Sequence, residues 1–442
     1  MHSNTDENVS LWAATAAPAE PLPALKGPTY ADVAIIGAGF TGISTAYHLA
    51  RRFPDKRIVV LEARRVGNGA SGRSGGMALN WINGVHADTP ERARRVFFAT
   101  KSGLDWIAST IQEHGLSVRF NRAGCSEAYT DNQRAEAAHA TTERLASWGI
   151  PVRYLAGREL ESHVRAQGVV GAVLDPTTGQ LHGLDFLRGL APVVRGYGVK
   201  IYENTPVLKI HEGRYHELTT PEGAVRAANM VLATNAYTAR LGYFKRGVFP
   251  LHSHVIATEP LPMERWRELG WGDSAGFCDD FDRIAYCSMT ADGRLLFGGG
   301  GNGAYSYAFP GRTAWTADAS SQYAYVHGIL KKYFPRASDV RIAQRWTGPV
   351  CATMTRVCSM GVTGVHRNIY HALGYSGHGV VLANLAGQVL CDLISENHEP
   401  WRDLPFYQRP LDGIPPEPAR WVGYQIYTRL TGRSPRREIE DV

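Results

Sequence analysis

The chain has 442 residues, enough for two or more domains that each bury a core. Apolar residues make up 44% of it and charged residues 20%, which is typical of a globular protein and excludes a disordered chain. The 47 basic and 41 acidic residues leave a net charge of +6, spread along the sequence without a dense basic run, so no nucleic-acid partner is expected.

The first segment predicts an N-terminal arm over residues 1–28. It lacks the basic start and apolar core of a secretory signal, and alternating Ala and Pro in residues 13–28 favour an extended arm. No stretch of about 18 residues is apolar throughout, so we expect no membrane span and a cytoplasmic protein. The six cysteines form no CxxC pair and no metal-ligand spacing, which predicts buried, reduced thiols and no metal site.

A dinucleotide-binding unit is predicted from residue 32 onward. The apolar run from Asp32 to Ile36 indicates a buried parallel strand, and it leads into the GxGxxG motif Gly37-Ala38-Gly39-Phe40-Thr41-Gly42 and a helical pattern. In such a unit the first glycine permits the tight turn, the second lets the backbone approach a pyrophosphate, and the third lets helix and strand pack closely. A second apolar run, 57–61, ends in Glu62, where an acid binds ribose hydroxyls.

The next loop favours FAD over NAD. Residues 66–77, VGNGASGRSGGM, contain five glycines and suit a loop whose N–H groups wrap a second part of a large cofactor. An extended FAD needs such a loop on the flavin side of its pyrophosphate. The predicted contacts of this region are Ala63, Arg64, Ala70, Ser71, Arg73, Ser74, Gly75, Gly76 and Met77.

The remaining pattern predicts a second domain that covers the flavin. Residues 118–130 read as two strands of a hairpin, a strand ends near Val207, and residues 243–340 alternate as an antiparallel sheet does. Residues 399–442, rich in Pro and Arg, predict a surface tail or a partner-contacting extension. Helices are predicted over residues 90–114, 131–148, 184–197, 315–333 and 380–395.

Several separated motifs carry a resemblance to a known family. TGISTAYHLA, LEARRVGNGASGRSGGM, RLLFGGG, RWTG and GYSGHGVVLANLAGQVL resemble the glycine oxidase / D-amino-acid oxidase superfamily of flavoenzymes, and most of all its gamma-glutamylputrescine oxidase type. The resemblance implies an α/β fold: a discontinuous, glutathione-reductase-like FAD-binding Rossmann-like domain plus an α+β substrate domain with an antiparallel sheet. We assign residues 29–89, 161–242 and 341–398 to the FAD-binding domain, 90–160 and 243–340 to the substrate domain, and 399–442 to a C-terminal extension.

The resemblance also implies further FAD contacts. The backbone at Val207 meets the adenine, the turn containing Thr234 and Asn235 is the family's third FAD-contacting segment, and Arg73 holds flavin or pyrophosphate oxygens. The loop before the last helix faces the flavin pyrimidine, where N–H groups and the helix dipole stabilise negative charge. Its predicted contacts are Gly374, Tyr375, Gly377, His378, Gly379 and Val380.

Candidate catalytic residues are fewer, because flavin carries the redox chemistry. His378 is expected near the reduced flavin. His252 and His254 share one face of a predicted strand, and His254 resembles the position of a glutamine in relatives that looks towards the active site. The other candidates are the wall residues Tyr286, Met289 and Trp346, which box an amine by cation–π and apolar contact.

The predicted function is oxidative deamination of a primary or secondary amine. A hydride passes from the amine α-carbon to flavin N5, the imine hydrolyses to an aldehyde or keto product, and O₂ reoxidises the flavin to give H₂O₂. Substrate classes left open are gamma-glutamylputrescine-like N-acylated diamines, small amino acids or N-methyl amines, and amines with an anionic tail. A dehydrogenase that uses another acceptor and a non-catalytic flavin-binding protein are the alternatives, and the oligomeric state is open.

Two positions bear on the flavin edge. Arg356 lies where relatives also have arginine, but they follow it with a Met-Pro pair and this chain has Val357-Cys358. Sarcosine oxidases of the superfamily link FAD covalently through a cysteine close to the position of Cys351. A thiolate there attacks the flavin 8α carbon. We expect non-covalent FAD and a buried thiol at Cys351, with the covalent link as the alternative.

Overall fold

A computed structural model describes residues 9–308 and 318–431, and ten helices and twenty strands lie within these ranges. The helices are α1 Leu11–Thr15, α2 Phe40–Arg52, α3 Pro90–Glu113, α4 Asn132–Ser147, α5 Gly157–His163, α6 Gly183–Gly196, α7 Met263–Leu269, α8 Ser320–Tyr333, α9 Gly379–Ile394 and α10 Ala419–Thr431. The strands are β1 Gly27–Ile36, β2 Ile58–Leu61, β3 Met77–Ala78, β4 Phe120–Asn121, β5 Cys125–Tyr129, β6 Arg153–Leu155, β7 Gly171–Asp175, β8 Gly179–Leu181, β9 Lys200–Tyr202, β10 Lys209–His211, β11 His216–Thr219, β12 Gly223–Leu232, β13 Phe249–Thr258, β14 Gly276–Asp279, β15 Ala285–Met289, β16 Leu295–Gly299, β17 Tyr305–Tyr307, β18 Ile342–Ala352, β19 Ser359–Thr363 and β20 Ile369–Leu373.

The first sheet has a parallel centre, as the continuous apolar runs predict. Its five central strands run in the order β20–β12–β1–β2–β9, all parallel, and the antiparallel strands β10, β11 and β19 extend it. Register pairs Val33 with Ile58 and Ile36 with Leu61. Helices α2, α6 and α9 contribute to the apolar core on one face, so strands buried on both faces need no polar alternation.

The second sheet runs β17–β13–β16–β15–β14–β5–β7–β6, with β18 paired to β13. Its described pairings are antiparallel apart from the parallel pair β5–β14. A third, small sheet joins β3, β8 and β4. The predicted class, a Rossmann-like α/β domain beside an α+β domain with a largely antiparallel sheet, is confirmed.

The sequence predicts the helix boundaries more accurately than the strand partners. The helices predicted over 90–114, 131–148, 184–197 and 380–395 are α3, α4, α6 and α9, each within one residue at either end. Of the helix predicted over 315–333, residues 315–317 lie outside the described ranges and α8 covers 320–333. The predicted hairpin at 118–130 is wrong, because β4 pairs with β8 and β5 pairs with β7 and β14 in another sheet.

The boundaries assigned to the two domains cut across the strand pairing. β7 falls in the range 161–242 and β18 in 341–398, both assigned to the FAD-binding domain, yet both pair into the second sheet. The strand expected to end near Val207 is β9, which ends at Tyr202. The domain boundaries stay a prediction. These pairings would move β7 and β18 from the FAD-binding domain to the substrate domain.

The described residues near both termini pack against the body, whereas the sequence predicted an extended arm and a surface tail or partner-contacting extension there. Leu11 and Trp12 of α1 are buried, and Trp12 Nε1 donates a hydrogen bond to the Ser74 carbonyl oxygen (2.7 Å). Only the stretch between α1 and β1 is extended, as predicted for the arm. The C-terminal extension is not a surface tail over its described part, because it contains α10, whose residues line the main cavity.

Within the described ranges we find no helix that combines the length and the apolar composition needed to cross a lipid bilayer.

Candidate functional site

The candidate site is a cavity of about 1350 Å³ between the first sheet and the second. Its wall begins at the carboxyl ends of β1, β2 and β12 and continues over β13, β15 and β18. In a doubly wound sheet the carboxyl ends of the strands are where a dinucleotide binds. A pocket for one small ligand measures about 300–1,000 Å³, so this cavity is large enough for a cofactor and a substrate together.

The turn between β1 and α2 requires its glycines. Gly37 has φ +103°, and a Cβ there would lie 2.9 Å from the Ala233 carbonyl oxygen. A Cβ on Gly39 would lie 2.8 Å from Ser71 Oγ, and one on Gly42 would lie 1.8 Å from the Gly37 carbonyl oxygen. Because α2 begins at Phe40 with Gly39 as its N-cap, the positive end of the helix dipole faces the cavity.

Glu62 lies directly after β2, on the cavity wall beside the turn between β1 and α2. Its carboxylate accepts hydrogen bonds from the backbone N–H groups of Ala38 and Arg64, both at 2.9 Å. Burial raises the pKa of Glu62, and these hydrogen bonds partly offset the rise because they favour the charged form. The two N–H groups fix the carboxylate at the cavity wall, where it is placed to accept hydroxyl groups.

The glycine-rich loop is tied to the second sheet. Arg73 Nη1 donates to the Thr347 carbonyl oxygen (3.2 Å), and Trp346 Nε1 donates to the Arg73 carbonyl oxygen (2.9 Å). Ser288 Oγ donates to the Gly75 carbonyl oxygen (2.6 Å). Burial lowers the pKa of Arg73. The loop is therefore held between the two sheets, with the Arg73 side chain on the cavity wall.

The loop before α9 meets the dinucleotide turn. The hydroxyls of Thr41 and Tyr375 share a hydrogen bond of 2.7 Å, and Asn235 Oδ1 accepts the Gly374 N–H (3.1 Å). His378 is the N-cap of α9, and the first turn of that helix lines the cavity. The structure thus brings together four segments that the sequence predicted for the cofactor, namely the turn 37–42, the loop 66–77, the turn 234–235 and the loop 374–380.

Most of the predicted cofactor contacts line the cavity. Gly42 and Gly374 do not, and they act through the backbone packing described above. The predicted contacts that line it are Gly37, Gly39, Phe40, Thr41, Glu62, Ala63, Arg64, Ala70, Ser71, Arg73, Ser74, Gly75, Gly76, Met77, Val207, Thr234, Asn235, Tyr375, Gly377, His378, Gly379 and Val380.

The candidate catalytic residues divide into two groups. Tyr286 and His378 line the cavity, and the Tyr286 hydroxyl lies 2.9 Å from Ser253 Oγ. The Tyr286 ring lies against Gly75, since a Cβ on that glycine would be 2.7 Å from the ring. Burial raises the pKa of Tyr286 to about 12, so the phenol is neutral at ordinary pH.

His254, Trp346 and Met289 lie off the cavity wall, contrary to the prediction for them. Ser253 faces the cavity, so strand alternation turns His254 to the opposite face, where it contacts Tyr323 and Ser306. Met289 belongs to the apolar core behind the sheet. Trp346 is fully buried and donates a hydrogen bond to the backbone of Arg73, which lines the cavity.

Sequence reasoning missed one wall of the cavity. Tyr424, Tyr427 and Arg420 of α10 line it, together with Asp282 and Arg283 between β14 and β15. A signal was present, because Arg420, Tyr424, Tyr427 and Thr431 recur at intervals of three and four residues, as on one face of a helix.

Comparison with known proteins decides the family. The sequence profile of the DAO family, described as FAD dependent oxidoreductase, matches residues 32–393. The chain belongs to the DAO family of FAD-dependent oxidoreductases. Gamma-glutamylputrescine oxidoreductase of Escherichia coli K12 is 31% identical over 422 residues, which cover 92% of this chain and 94% of that protein. The probable oxidoreductase OrdL of Haemophilus influenzae is 31% identical over 397 residues, 86% of each chain.

A solved structure supports the same fold. Glycine oxidase of Geobacillus kaustophilus superposes with a TM-score of 0.73 at 22% identity, over 87% of this chain and all of that one. The resemblance inferred from the motifs is confirmed, and the chain is an enzyme of the DAO family with FAD as its cofactor.

The residues of this DAO-family enzyme fit FAD. A Cβ on Gly39 or Gly75 would collide with Ser71 or Tyr286, so only glycine fits at these two positions of the cavity wall. Glu62 is placed for a ribose, the N-terminus of α2 for a pyrophosphate, and the N-terminus of α9 for the electron-rich edge of a flavin.

Cys351 of β18 lines the cavity and is buried beside Ala236, Val248 and Leu373. Burial raises the pKa of its thiol to about 12, so the nucleophilic thiolate is scarce. We predict that acid precipitation of the purified enzyme leaves all flavin in the supernatant and a colourless pellet. The Cys351→Ala variant is expected to purify with the same flavin content. A yellow pellet from the wild type that becomes colourless in Cys351→Ala would establish the covalent link instead.

Proposed function

We propose that the enzyme oxidises the carbon–nitrogen bond of a small amine, with gamma-glutamylputrescine-like amines as the first substrate class and O₂ as the electron acceptor. The observation that supports this is the single cavity that runs from the dinucleotide turn to an aromatic wall on the second sheet. The E. coli relative, named for gamma-glutamylputrescine, matches nearly the whole chain, which favours an acylated diamine.

FAD held by the glycine-rich turn and loop would supply the hydride acceptor for oxidation of the carbon that carries the nitrogen, and the imine product would hydrolyse in water. The protein supplies position and electrostatics. Tyr286, neutral and held by Ser253, offers a rigid aromatic face beside Gly75. The amine must lose its proton before it yields a hydride, and the partly apolar cavity favours the neutral amine because removal from water disfavours the charged form.

The N-terminal turn of α9 provides the second electrostatic element. His378, Gly379 and Val380 line the cavity, so the positive end of a 16-residue helix is directed at it. A helix N-terminus stabilises negative charge that develops nearby, as it does when a flavin is reduced. His378 is the N-cap of this helix, and the arrangement supports a role for it beside the cofactor.

An anaerobic titration of the yellow enzyme tests this proposal. The ligands are putrescine, gamma-glutamylputrescine, glycine, sarcosine, D-alanine and 2-aminoethylphosphonate. We expect gamma-glutamylputrescine to bleach the flavin absorbance, and air to restore it with one H₂O₂ per flavin.

The other outcomes separate the alternatives. Bleaching that air does not reverse, but an added quinone does, would replace the oxidase by a dehydrogenase. Bleaching by glycine or sarcosine alone would move the substrate class to amino acids and N-methyl amines. If none of the six compounds bleaches the flavin, amine oxidation fails and a flavin-binding protein without this activity takes its place.

A further inference from the structure

The C-terminal helix α10 lies outside the segment that the DAO family shares. The family match ends at residue 393, whereas α10 spans Ala419–Thr431 and Tyr424 and Tyr427 line the cavity. This wall is therefore supplied by chain that the family profile does not cover.

Helix α10 is fixed to the body at both of its ends. At the start, the Arg420 guanidinium is buried and donates to the carbonyl oxygens of Val248 (3.2 Å) and Pro415 (3.1 Å). At the end, Asn302 Nδ2 donates to the Thr428 carbonyl oxygen (2.6 Å). In the middle, the rings of Tyr424 and Tyr307 are 5.2 Å apart. A helix held at both ends presents its side chains to the cavity in fixed positions.

A cluster of charges joins α10 to the cavity wall. Asp282 accepts hydrogen bonds from the Tyr427 hydroxyl (2.9 Å), from Arg283 Nη1 (3.3 Å) and from Arg356. Arg283 also lies over the Tyr427 ring, 5.1 Å from its centroid, and Nη1 is 3.3 Å from Thr431 Oγ1. The side chains of Asp282 and Arg283 are only 8% and 9% exposed.

The Asp282–Arg283–Arg356 cluster contains unequal numbers of positive and negative groups. The guanidinium groups of Arg283 and Arg356 both pair with the Asp282 carboxylate, so these three side chains together carry a net positive charge. Because it is mostly removed from water, that charge is weakly screened and attracts an anion that enters the cavity. Guanidinium groups are well suited to carboxylates, which they bind through two parallel hydrogen bonds.

We propose that α10 and the Asp282–Arg283–Arg356 cluster form the subsite for the remote end of the substrate, and that this subsite selects amines whose tail carries a carboxylate. Tyr424 and Tyr427 contact the tail, and Arg283 pairs with its carboxylate. The inference rests on the proposed function and specifies the substrate of the same site.

Binding of two matched ligands tests the subsite without turnover. N-succinylputrescine and N-butyrylputrescine have the same length and differ in a terminal carboxylate against a methyl group. We expect the anaerobic holoenzyme to bind the succinyl compound about tenfold more tightly by calorimetry, as for a hydrogen-bonded charge pair. In Arg283→Gln this preference should largely disappear, and in Arg283→Lys it should partly return. Asp282→Asn should increase it, because the competing carboxylate is gone.

Matched controls keep the result specific. Arg341→Gln removes an arginine that pairs with Glu259 (2.9 Å) at the surface and does not line the cavity, and it should leave the preference unchanged. Tyr424→Ala should weaken both acylated ligands equally and leave putrescine unaffected, since putrescine has no tail to reach α10.

Equal affinity of the wild type for the two acylated ligands would overturn the proposed subsite, and so would a preference that survives Arg283→Gln. If Arg283→Gln does not retain FAD, the opposite effects expected of Arg283→Lys and Asp282→Asn decide the question. Because binding is measured rather than flavin reduction, a failure of amine oxidation does not affect this test.

Discussion

Replacing Gly42 by alanine is expected to give a protein that purifies without FAD and unfolds at a lower temperature than the wild type. The new Cβ would lie 1.8 Å from the Gly37 carbonyl oxygen and 3.3 Å from Ile35 Cγ2. No side-chain rotation relieves a contact with backbone, so α2 must move away from β1. Overpacking of a buried site costs about 1–3 kcal/mol, and this backbone contact lies at the upper end.

Loss of the cofactor follows from the same displacement. Two hydrogen bonds link the first turn of α2 to other segments. The Phe40 N–H donates to Ser71 Oγ (3.0 Å), and the hydroxyls of Thr41 and Tyr375 share a hydrogen bond. A shift of that turn breaks its contacts with the glycine-rich loop and with the loop before α9, and so separates the segments that hold FAD.

Absorbance spectra and thermal unfolding of purified variants measure both effects. Gly328→Ala is the matched control, because Gly328 also lies inside a helix, α8, and no described atom lies within 4 Å of its Cβ position. That control should bind FAD normally and gain about 0.5–1 kcal/mol of stability from helix propensity. A Gly42→Ala variant with full flavin content would show that the close packing of β1 and α2 is not required.

The contrast between the turn at Gly37–Gly42 and the α10 wall explains which parts of the site could be predicted from the sequence. The turn at Gly37–Gly42 is local, because its strand, glycines and helix are consecutive, and Gly42 is required by the Gly37 carbonyl oxygen of the same turn. A binding motif formed by consecutive residues can be recognised in a single sequence. The position of α10 depends instead on Val248, Asn302 and Asp282, which are more than a hundred residues away along the chain.

Strand partners and strand faces could not be predicted from the sequence for a related reason. β5 pairs with β7 and β14, which are about 46 and 150 residues further on, and the local pattern at 118–130 carries no information about them. His254 was correctly placed on a strand, but a one-residue difference in phase turns every side chain to the other face. The phase is set by Ser253 and Tyr286 meeting across the sheet, a tertiary contact.

Acid is expected to destabilise the enzyme strongly between pH 7 and pH 5, because three buried histidines must remain neutral. Burial lowers the pKa of His182, His254 and His371 to about 4 in each case. In the unfolded chain a histidine has a pKa of about 6.5. Between these values the unfolded state binds more protons than the folded state, so the free energy of unfolding rises with pH and falls as pH is lowered from 6.5 towards 4.

The expected loss is about 2 kcal/mol for each histidine between pH 7 and pH 5, or about 6 kcal/mol for the three together. Urea unfolding at both pH values, followed by tryptophan fluorescence with FAD in excess, measures it. His254→Gln tests one contribution, because an amide keeps a polar contact near Ser306 Oγ but does not titrate.

The His254→Gln variant should lose about 2 kcal/mol less than the wild type over this pH range, since one titrating histidine is gone. His211→Gln is the control, because His211 is exposed on β10 and remains in water whether the chain is folded or not. If the two variants show the same acid sensitivity as the wild type, burial of His254 does not hold its imidazole neutral. In that case the acid sensitivity comes from other histidines, among them His48 and His252, because burial also lowers the pKa of each to about 4.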